Sequence, residues 1–210
     1  MLDWDHNAYY HRLLLRQLPP RSRRVLDVGC GAGLFAARLA GRVDRVDALD
    51  RSPSMIEVAR QRTPVNVTCM LGDAMSHPLP ENGYDAIFSI AALHHMDLAT
   101  ALPRFAALLR PGGVLAAVAL PRTDLRAELP AEIVAALGHR LLGAAFLFAR
   151  SVGSGDWFAK DSTHSMMPVV LAPELTTREV AGRSAAIFAD VHVRRLIFWR
   201  YLLRWQKPAL

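Results

Sequence analysis

The stretch RVLDVGCGAGLFAARLAGR, residues 24–42, carries an acid and three glycines between two apolar segments. Its first part, with Val25 and Val28, has the apolar pattern of a buried strand. Its second part, from Leu34 to Leu39, presents one apolar face of a helix. Glycine at such a turn lets backbone approach a ligand closely, and free N–H groups at the start of the helix point at it. The turn is therefore predicted to hold a ligand.

The spacing of the glycines excludes the common dinucleotide fingerprint. Gly29, Gly31 and Gly33 are separated by single residues, whereas the fingerprint is Gly-x-Gly-x-x-Gly. Leu34 stands where that pattern has its third glycine. Asp27 lies inside the turn and would repel a pyrophosphate, so it favours a ligand with a cationic group. An equal alternative is that Asp27 only fixes the loop by accepting backbone N–H bonds.

Acids also follow the next two predicted strands. Asp50 ends the strand predicted at 45–50, and Asp73 ends the one predicted at 65–73. Ligands of open α/β sheets bind outside the carboxyl ends of the strands. A carboxylate offers two oxygens for the two hydroxyls of a ribose, and an acid beside exposed backbone can read the amino edge of an adenine. Together with Asp27, these acids indicate a nucleoside with a positively charged tail.

Strand-like and helix-like segments alternate through the first part of the chain. A helix is predicted over 52–62, with Ser52 as N-cap, and a fourth strand opens YDAIFSIAALHHM at 84–96. A helix over 97–113 and a fifth strand over 114–120 follow. This alternation predicts a doubly wound α/β sheet.

The alternation stops between 121 and 172, where an apolar segment precedes a glycine-rich break. We expect this stretch to cap the ligand edge of the sheet. A helix is predicted again over 173–188, beginning near Thr176 or Thr177, and 190–207 reads as two strands paired antiparallel at a sheet edge.

The length and composition of the chain indicate which broad class of protein it belongs to. The 210 residues, 52% of them hydrophobic, suit one globular domain with a full core. His139 and Arg140 interrupt the apolar stretch 131–149, which favours a buried helix or lid over a membrane span. Cys30 and Cys69 make neither a disulfide framework nor a metal motif. With no signal-peptide pattern at the start of the chain, a cytoplasmic protein is expected.

The net charge of +6 comes almost entirely from arginine. The arginines are scattered, without a run of five or six like charges and without a basic stripe interleaved with aromatics. We therefore interpret the charge as solvated surface rather than a nucleic-acid face. The sequence is also compatible with a homodimer.

Five motifs in order carry a resemblance to a known family. The segments VLDVGCGAG, ALDRSPSMIEVAR, LGDAM, YDAIFSIAALHHM and LRPGGVLAAV, within residues 22–120, resemble the class I S-adenosylmethionine-dependent methyltransferases. Within them the sequence is similar to the small-molecule branch called methyltransferase type 11. The closing FADVHVRRLIFWRYLLRWQKP resembles the terminal strand pair of that family. The resemblance implies a mostly parallel, seven-stranded Rossmann-like sheet with a C-terminal antiparallel pair and a helical cap insertion.

The resemblance also implies one domain in four parts. These are an N-terminal helical cover at 1–21, a cofactor-binding half at 22–120, a substrate cap at 121–172, and the last helix with the strand pair at 173–210.

By the same resemblance, S-adenosylmethionine is the cofactor and S-adenosylhomocysteine its product. The three glycines would approach the methionine part, Asp50 the ribose hydroxyls, and Asp73 with the Ala74 amide the adenine. Arg51 and Met55 would flank the adenine ring. The implied cofactor-binding set is Asp27, Gly29, Cys30, Gly31, Gly33, Asp50, Arg51, Met55, Asp73, Ala74, Ser89 and Ile90, with Ser89 and Ile90 on the sulfonium side. Cys30 has the alternative of a small filler, and Met55 that of a core residue.

Methyl transfer from a sulfonium is an in-line displacement, so alignment of donor and acceptor is the main task. A hydroxyl or amine acceptor also loses a proton, which a histidine can take, whereas a carbon nucleophile needs no such base. The candidates are His94, His95, His164 and His11, of which His94 is favoured and His164 comes next.

Adjacent His94 and His95 also suggest a metal site. We reject it, because neighbouring histidines are expected to point apart and no acid completes a ligand set. One of them is expected to face the substrate and the other to cap the helix that begins near Asp97.

The acceptor is predicted to be a small molecule, such as a natural product, because the cap is short. Tyr9 or Tyr10 would close the pocket, with packing against the sheet as an equal alternative. Trp157, Phe158 and His164 in the cap would bind an apolar acceptor with one polar group. Two other functions are an RNA or protein methyltransferase, and an S-adenosylmethionine-binding protein that catalyses another reaction such as a cyclisation.

Overall fold

The structure is a computed structural model that describes residues 4–152, 158 and 173–209. The described strands are β1 (Arg24–Val28), β2 (Arg45–Asp50), β3 (Val67–Leu71), β4 (Tyr84–Ile90), β5 (Leu109–Ala119), β6 (His192–Leu196) and β7 (Arg200–Gln206). The described α-helices are α1 (His6–Tyr9), α2 (His11–Leu15), α3 (Leu34–Ala40), α4 (Pro53–Arg62), α5 (Leu98–Leu108), α6 (Leu125–Ser151) and α7 (Thr177–Ala185).

All seven strands form one sheet in the order β3-β2-β1-β4-β5-β7-β6. The first five are mutually parallel, and β7 runs antiparallel to both β5 and β6. The predicted Rossmann-like sheet with its C-terminal antiparallel pair is confirmed. The strand order reverses between β1 and β4, and such a switch point opens a crevice at the carboxyl ends of the strands.

Register brings distant parts of the chain to that edge. Val28 at the end of β1 pairs with Leu49 of β2 and Ser89 of β4. Ala119, the last residue of β5, pairs with Tyr201 near the start of β7. Because β7 is antiparallel, its first residue lies at the same edge as the last residues of the parallel strands.

The core consists of two layers, one on each face of the sheet. Leu26 of β1 and Ile87 of β4 belong to the first layer, and Val25 and Ala86 belong to the second. Successive side chains of a strand alternate between faces, so strands buried on both sides read as continuous apolar runs. This explains why the positions of the parallel strands could be predicted from the sequence.

Polar N-caps start the main helices. The Ser52 hydroxyl accepts from the Met55 amide at the start of α4, as predicted. The Thr176 side chain accepts from the Glu179 amide and Glu179 reaches back, which makes a capping box before α7.

The helix predicted over 97–113 is shorter than expected. It ends at Leu108, and β5 begins at Leu109 rather than at 114. Pro111 lacks the N–H that a continuing helix needs. Gly112 takes a left-handed φ of 77°, and its amide donates to the Lys207 carbonyl, so this segment joins the sheet instead.

The segment after β5 is helical over a longer range than its apolar core at 131–149. Helix α6 runs from Leu125 to Ser151. Among the described residues, no helix is long and apolar enough to cross a membrane. Trp157 and His164 lie outside the described residues.

A carboxylate clamps the sheet at the edge opposite the crevice. Asp85 Oδ2 accepts from the Arg23 and Arg24 amides, both at 2.8 Å, and Oδ1 accepts from Arg110 Nη1 at 2.6 Å. One side chain thereby holds the start of β1, the start of β4 and the beginning of β5 together.

Asp85→Ala is expected to lower the free energy of unfolding by about 1–3 kcal/mol, because two backbone amides lose their acceptor. Urea denaturation measures the change. The exposed Arg23–Asp44 pair supplies the control, since Asp44→Ala should change stability by no more than about 0.5 kcal/mol. Equal effects of the two substitutions would contradict the clamp.

Candidate functional site

The crevice at the carboxyl ends of the strands contains a cavity of about 470 Å³. This volume lies within the roughly 300–1,000 Å³ of small-molecule sites. Its lining residues are Asn7, Val28, Gly29, Gly31, Leu49, Asp50, Arg51, Ser52, Met55, Gly72, Asp73, Ala74, Met75, Ile90, Ala91, Ala92, His94, His95, Met96, Asp97, Thr100, Leu120 and Arg200.

The glycine turn after β1 forms the centre of the wall. The amides of Gly29 and Cys30 donate to the Leu49 carbonyl at 2.8 and 3.1 Å, which ties the turn to β2. Gly29 has a φ of 72°, and a Cβ there would clash with Ala92. Gly31 has a φ of 51°, and no atom lies within 4 Å of where its Cβ would be. The backbone at Gly31 therefore faces space that a ligand can occupy.

The third glycine has a different role from the predicted one. Gly33 begins α3 with a φ of 79°, and a Cβ there would come within 2.7 Å of Thr63 Cγ2 and 3.1 Å of Ala59 Cβ. It permits close packing of α3 and α4 and does not line the cavity. Cys30 also lies behind the wall, where burial raises the pKa of its thiol. Neither residue is among those that line the cavity, and the position of Cys30 agrees with its alternative as a small filler.

Asp50 is fixed by two backbone amides. Its Oδ2 accepts from the Gly31 amide at 2.9 Å, and its Oδ1 accepts from the Ser52 amide at 2.8 Å. Each carboxylate oxygen accepts more than one hydrogen bond, so both retain capacity toward the cavity. This arrangement fits a pair of ligand hydroxyls.

The predicted adenine side lies around Asp73. The Asp73 carboxylate accepts from the Met75 amide at 2.7 Å, and Asp73, Ala74 and Arg51 all line the cavity. Met55 is 2% exposed and also lines the cavity, so it is both a core residue and part of the wall.

Asp27 lies behind the turn rather than in the wall. Its side chain is buried, and Oδ2 has no hydrogen-bond partner among the described residues. The pKa of Asp27 is raised to about 7, chiefly by burial and also by the Asp50 carboxylate, against the lowering effect of a hydrogen bond from the Ala36 amide. A cationic group bound on the cavity side of the turn would favour the charged carboxylate.

The loop after β4 closes the other side of the turn. Ile90 lines the cavity, whereas Ser89 is buried on the opposite face, because neighbouring strand residues alternate. The predicted contact of the Ser89 side chain with the ligand is therefore not supported. Ala91 follows with a φ of 54°, and its amide donates to the Val118 carbonyl.

The two adjacent histidines occupy a short 3₁₀ turn, Leu93–His95, and both line the cavity. Their ring centroids are 4.1 Å apart, so the expectation that they point apart is wrong. Neither caps α5, because Asp97 accepts from the Ala99 and Thr100 amides itself. In the part of the chain that the structure describes, no group of three His, Cys, Asp or Glu residues could hold a metal.

Burial dominates the titration of these histidines. The pKa of His94 is lowered to about 3, chiefly by burial and also by His95 and Arg200. The pKa of His95 is lowered as well, by burial and by Arg51. His11, another candidate base, packs on Phe35 away from the cavity, and burial lowers its pKa to about 3. All three are neutral at physiological pH.

Asn7 lines the cavity in place of the two predicted tyrosines. The Tyr10 hydroxyl donates to the Ile197 carbonyl, and the ring is buried in the core. Tyr9 packs edge-on against Trp4 and lies 5.8 Å from the Phe158 ring. Helical geometry turns only some residues of α1 toward the crevice, so these aromatics pack rather than close the cavity.

Arg200 is a lining residue that the sequence analysis missed. It is the first residue of β7, and its Nη2 donates to Asn7 Oδ1 at 3.1 Å. Only the antiparallel pairing of β7 with β5 brings it to the crevice. The sequence around it looked like a terminal strand, and no local motif marked a ligand residue.

Known proteins resemble this chain in sequence and in fold. The methyltransferase domain family matches residues 25–113. An uncharacterized methyltransferase of Mycobacterium tuberculosis is 36% identical over 208 residues, covering 98% of each chain. The trans-aconitate 2-methyltransferase of Methylobacterium radiotolerans is 38% identical over 173 residues, 76% of this chain and 59% of that one. A SAM dependent methyltransferase from Aquifex aeolicus shares the fold, with a TM-score of 0.60 over 93% of this chain and 88% of its own at 18% identity.

Asp27→Asn is expected to gain stability relative to the wild type as pH rises from 5 to 8. The folded pKa of about 7 lies above the ordinary 3.8. Between these values Asp27 is ionised in the unfolded chain while the folded protein keeps the proton, so wild-type stability falls with rising pH until about pH 7. At about 1.4 kcal/mol per pH unit, the relative gain is about 2 kcal/mol or more. Urea denaturation of the ligand-free protein at both pH values measures it. The exposed Asp44→Asn should show no such gain, and parallel pH dependences for Asp27→Asn and wild type would contradict the assignment.

Proposed function

Because the chain belongs to the class I S-adenosylmethionine-dependent methyltransferases, we propose that it transfers a methyl group to a small-molecule acceptor. The observation that carries the proposal is one continuous cavity with two chemically different sides. Asp50 and Asp73 line the side formed by β1–β3, and His94 and Leu120 line the side formed beyond β4. Donor and acceptor would meet at the switch point between these sides.

The cofactor side fits the parts of S-adenosylmethionine. Asp50 would accept from the ribose hydroxyls, Asp73 would bind the adenine edge, and the open space at Gly31 would admit the methionine part. Asp27, behind the turn, would supply negative charge to the cationic end of the ligand. When bound, S-adenosylmethionine supplies a methyl group on a positively charged sulfur.

His94 would position the acceptor rather than act as an efficient base. A group with a pKa of about 3 holds a proton poorly near pH 7. The neutral imidazole lines the cavity, so its ring can contact the acceptor there. The acceptor would then need little or no help in losing a proton. His164, the second candidate base, lies outside the described residues.

The four-part division of the chain is part of this proposal. Residues 22–120 would hold the cofactor, and 121–172 would select the acceptor. The cap helix α6 contacts the N-terminal cover, since Trp4 Nε1 donates to the His139 carbonyl at 3.3 Å. The cover also supplies Asn7 to the cavity wall. This contact supports a joint role of the two segments over the acceptor.

A small acceptor fits better than RNA for a specific reason. The C-terminal arginines would have to form one basic face to bind a phosphate backbone. Arg200 instead lines the cavity, and Arg204 Nη2 donates to Gln206 on the same strand. Arg200 is therefore a cavity residue rather than part of an outer basic surface.

The proposed function is tested by incubating the protein with methyl-labelled S-adenosylmethionine and a broad small-molecule panel. Total RNA and total protein serve as separate substrates. We expect label in one or more small molecules, with S-adenosylhomocysteine released in equal amount. Label confined to RNA or protein, or no label in any acceptor, would contradict the proposal.

Asp50→Ala is expected to weaken the affinity for S-adenosylhomocysteine at least tenfold, measured by calorimetry. Charge-assisted hydrogen bonds of about 1.5–3 kcal/mol each would be lost. The substitution also frees the Gly31 and Ser52 amides, so Asp50→Asn, which keeps one oxygen acceptor, should lose less.

Asp85→Ala at the opposite edge of the sheet serves as the control and should leave this affinity within about threefold. NAD should not bind to the wild type. Unchanged affinity in folded Asp50→Ala would show that the ribose hydroxyls bind elsewhere.

A further inference from the structure

We propose that the acceptor is a carboxylic acid whose carboxylate is bound by Arg200. This inference rests on the proposed function, because it names the acceptor class for the same cavity. It assigns Arg200 as a substrate-binding residue, whichever atom of the acid receives the methyl group.

Sheet topology places Arg200 on the acceptor side. It begins β7, directly beside the carboxyl end of β5, where Tyr201 pairs with Ala119 and Leu120 follows. Asp50 ends β2 on the other side of the switch point. The guanidinium therefore lies away from the residues that fit the nucleoside.

The guanidinium of Arg200 is hydrogen-bonded to neutral groups in the part of the chain that the structure describes. Its hydrogen-bond partners are Asn7 Oδ1 at 3.1 Å, the Trp199 carbonyl at 3.1 Å and the Phe198 carbonyl at 3.5 Å, all neutral. Its Nε is buried and has no hydrogen-bond partner among the described residues. Within the described part of the chain, no carboxylate forms an ion pair with it.

Such an environment is costly for a cation. Burial lowers the pKa of Arg200, and the charges of Tyr10 and Asp5 offset only part of this effect. A buried charge is ordinarily paired, and within the described residues Arg200 has no ion-pair partner. The neighbouring His94 is neutral and supplies no negative charge. A bound anion would provide the missing partner.

A carboxylate matches this position better than a phosphate dianion does. The planar guanidinium fork matches a planar carboxylate, and one guanidinium compensates one negative charge. Arg51, the other arginine among the described lining residues, is exposed and lies on the nucleoside side. Ile90, Met96 and Leu120 line the wall and suit an apolar body attached to the acid.

Calorimetry in the presence of saturating S-adenosylhomocysteine tests the proposal with benzoate, 3-phenylpropanoate and octanoate. Each acid is compared with its primary amide, which has a similar shape and no charge. We expect at least one acid to bind the wild type at least tenfold more tightly than its amide.

Arg200→Gln should weaken binding of that acid at least tenfold and leave the amide and S-adenosylhomocysteine within threefold. Arg200→Lys should retain part of the preference, since the charge remains without the fork. Arg204→Gln, on the same strand and outside the cavity wall, is the matched control and should bind like the wild type.

Two results would overturn the inference. In one, no acid binds the wild type more tightly than its amide, a comparison that does not depend on the folding of any variant. In the other, folded Arg200→Gln retains the preference for the acid. If neutral small molecules are labelled in either case, the proposed function stands and only the inference about the acid fails. If the acids bind through Arg200 but no methyl group is transferred to any molecule, the proposed function fails, and Arg200 remains a carboxylate-binding residue.

Discussion

The two hydrogen bonds from the Gly31 and Ser52 amides to the Asp50 carboxylate are the constraint on which the site depends. They join the turn after β1 to the start of α4, across two parallel strands. Gly29 and Cys30 add a second tie through the Leu49 carbonyl. The backbone at Gly31 is thereby exposed to the crevice, with no other side chain of the described residues packed against it. The shape of the turn is therefore set largely by main-chain hydrogen bonds, which the sheet register positions.

Local chemistry explains what could be predicted from the sequence. Asp50 and Asp73 lie in the cavity wall as expected, because each directly follows a readable strand. The glycine spacing identified the turn, yet it could not distinguish Gly31, which faces the cavity, from Gly33, which packs against α4. That distinction depends on a helix that lies about twenty residues further along the chain. The position of Arg200 in the cavity wall could not be predicted from the sequence either, because it depends on the pairing of β7 with β5.

The site keeps several polar groups in unfavourable surroundings. Asp27 Oδ2, His94 Nδ1 and Arg200 Nε are buried without hydrogen-bond partners in the described part of the chain. Each such group costs stability, on the order of 1–3 kcal/mol. All three lie in or beside the cavity, whereas Asp47, in the sheet and away from the cavity, has Arg24, Arg45 and Tyr84 as partners. Among the described residues, four further buried polar atoms without partners, on His11, Ser89, Thr177 and Ser184, belong to residues that do not line the cavity.

The hydrogen bond between Arg200 and Asn7 joins residues 193 positions apart. Contacts between the two ends of a chain close the longest loop and form late in folding. During synthesis, the strands that carry the nucleoside side leave the ribosome well before β7 does. A nascent chain could therefore fold its first five strands around a nucleotide-like ligand while the acceptor side is still unbuilt. Completion of the last strand would be the step that turns a binding domain into an enzyme.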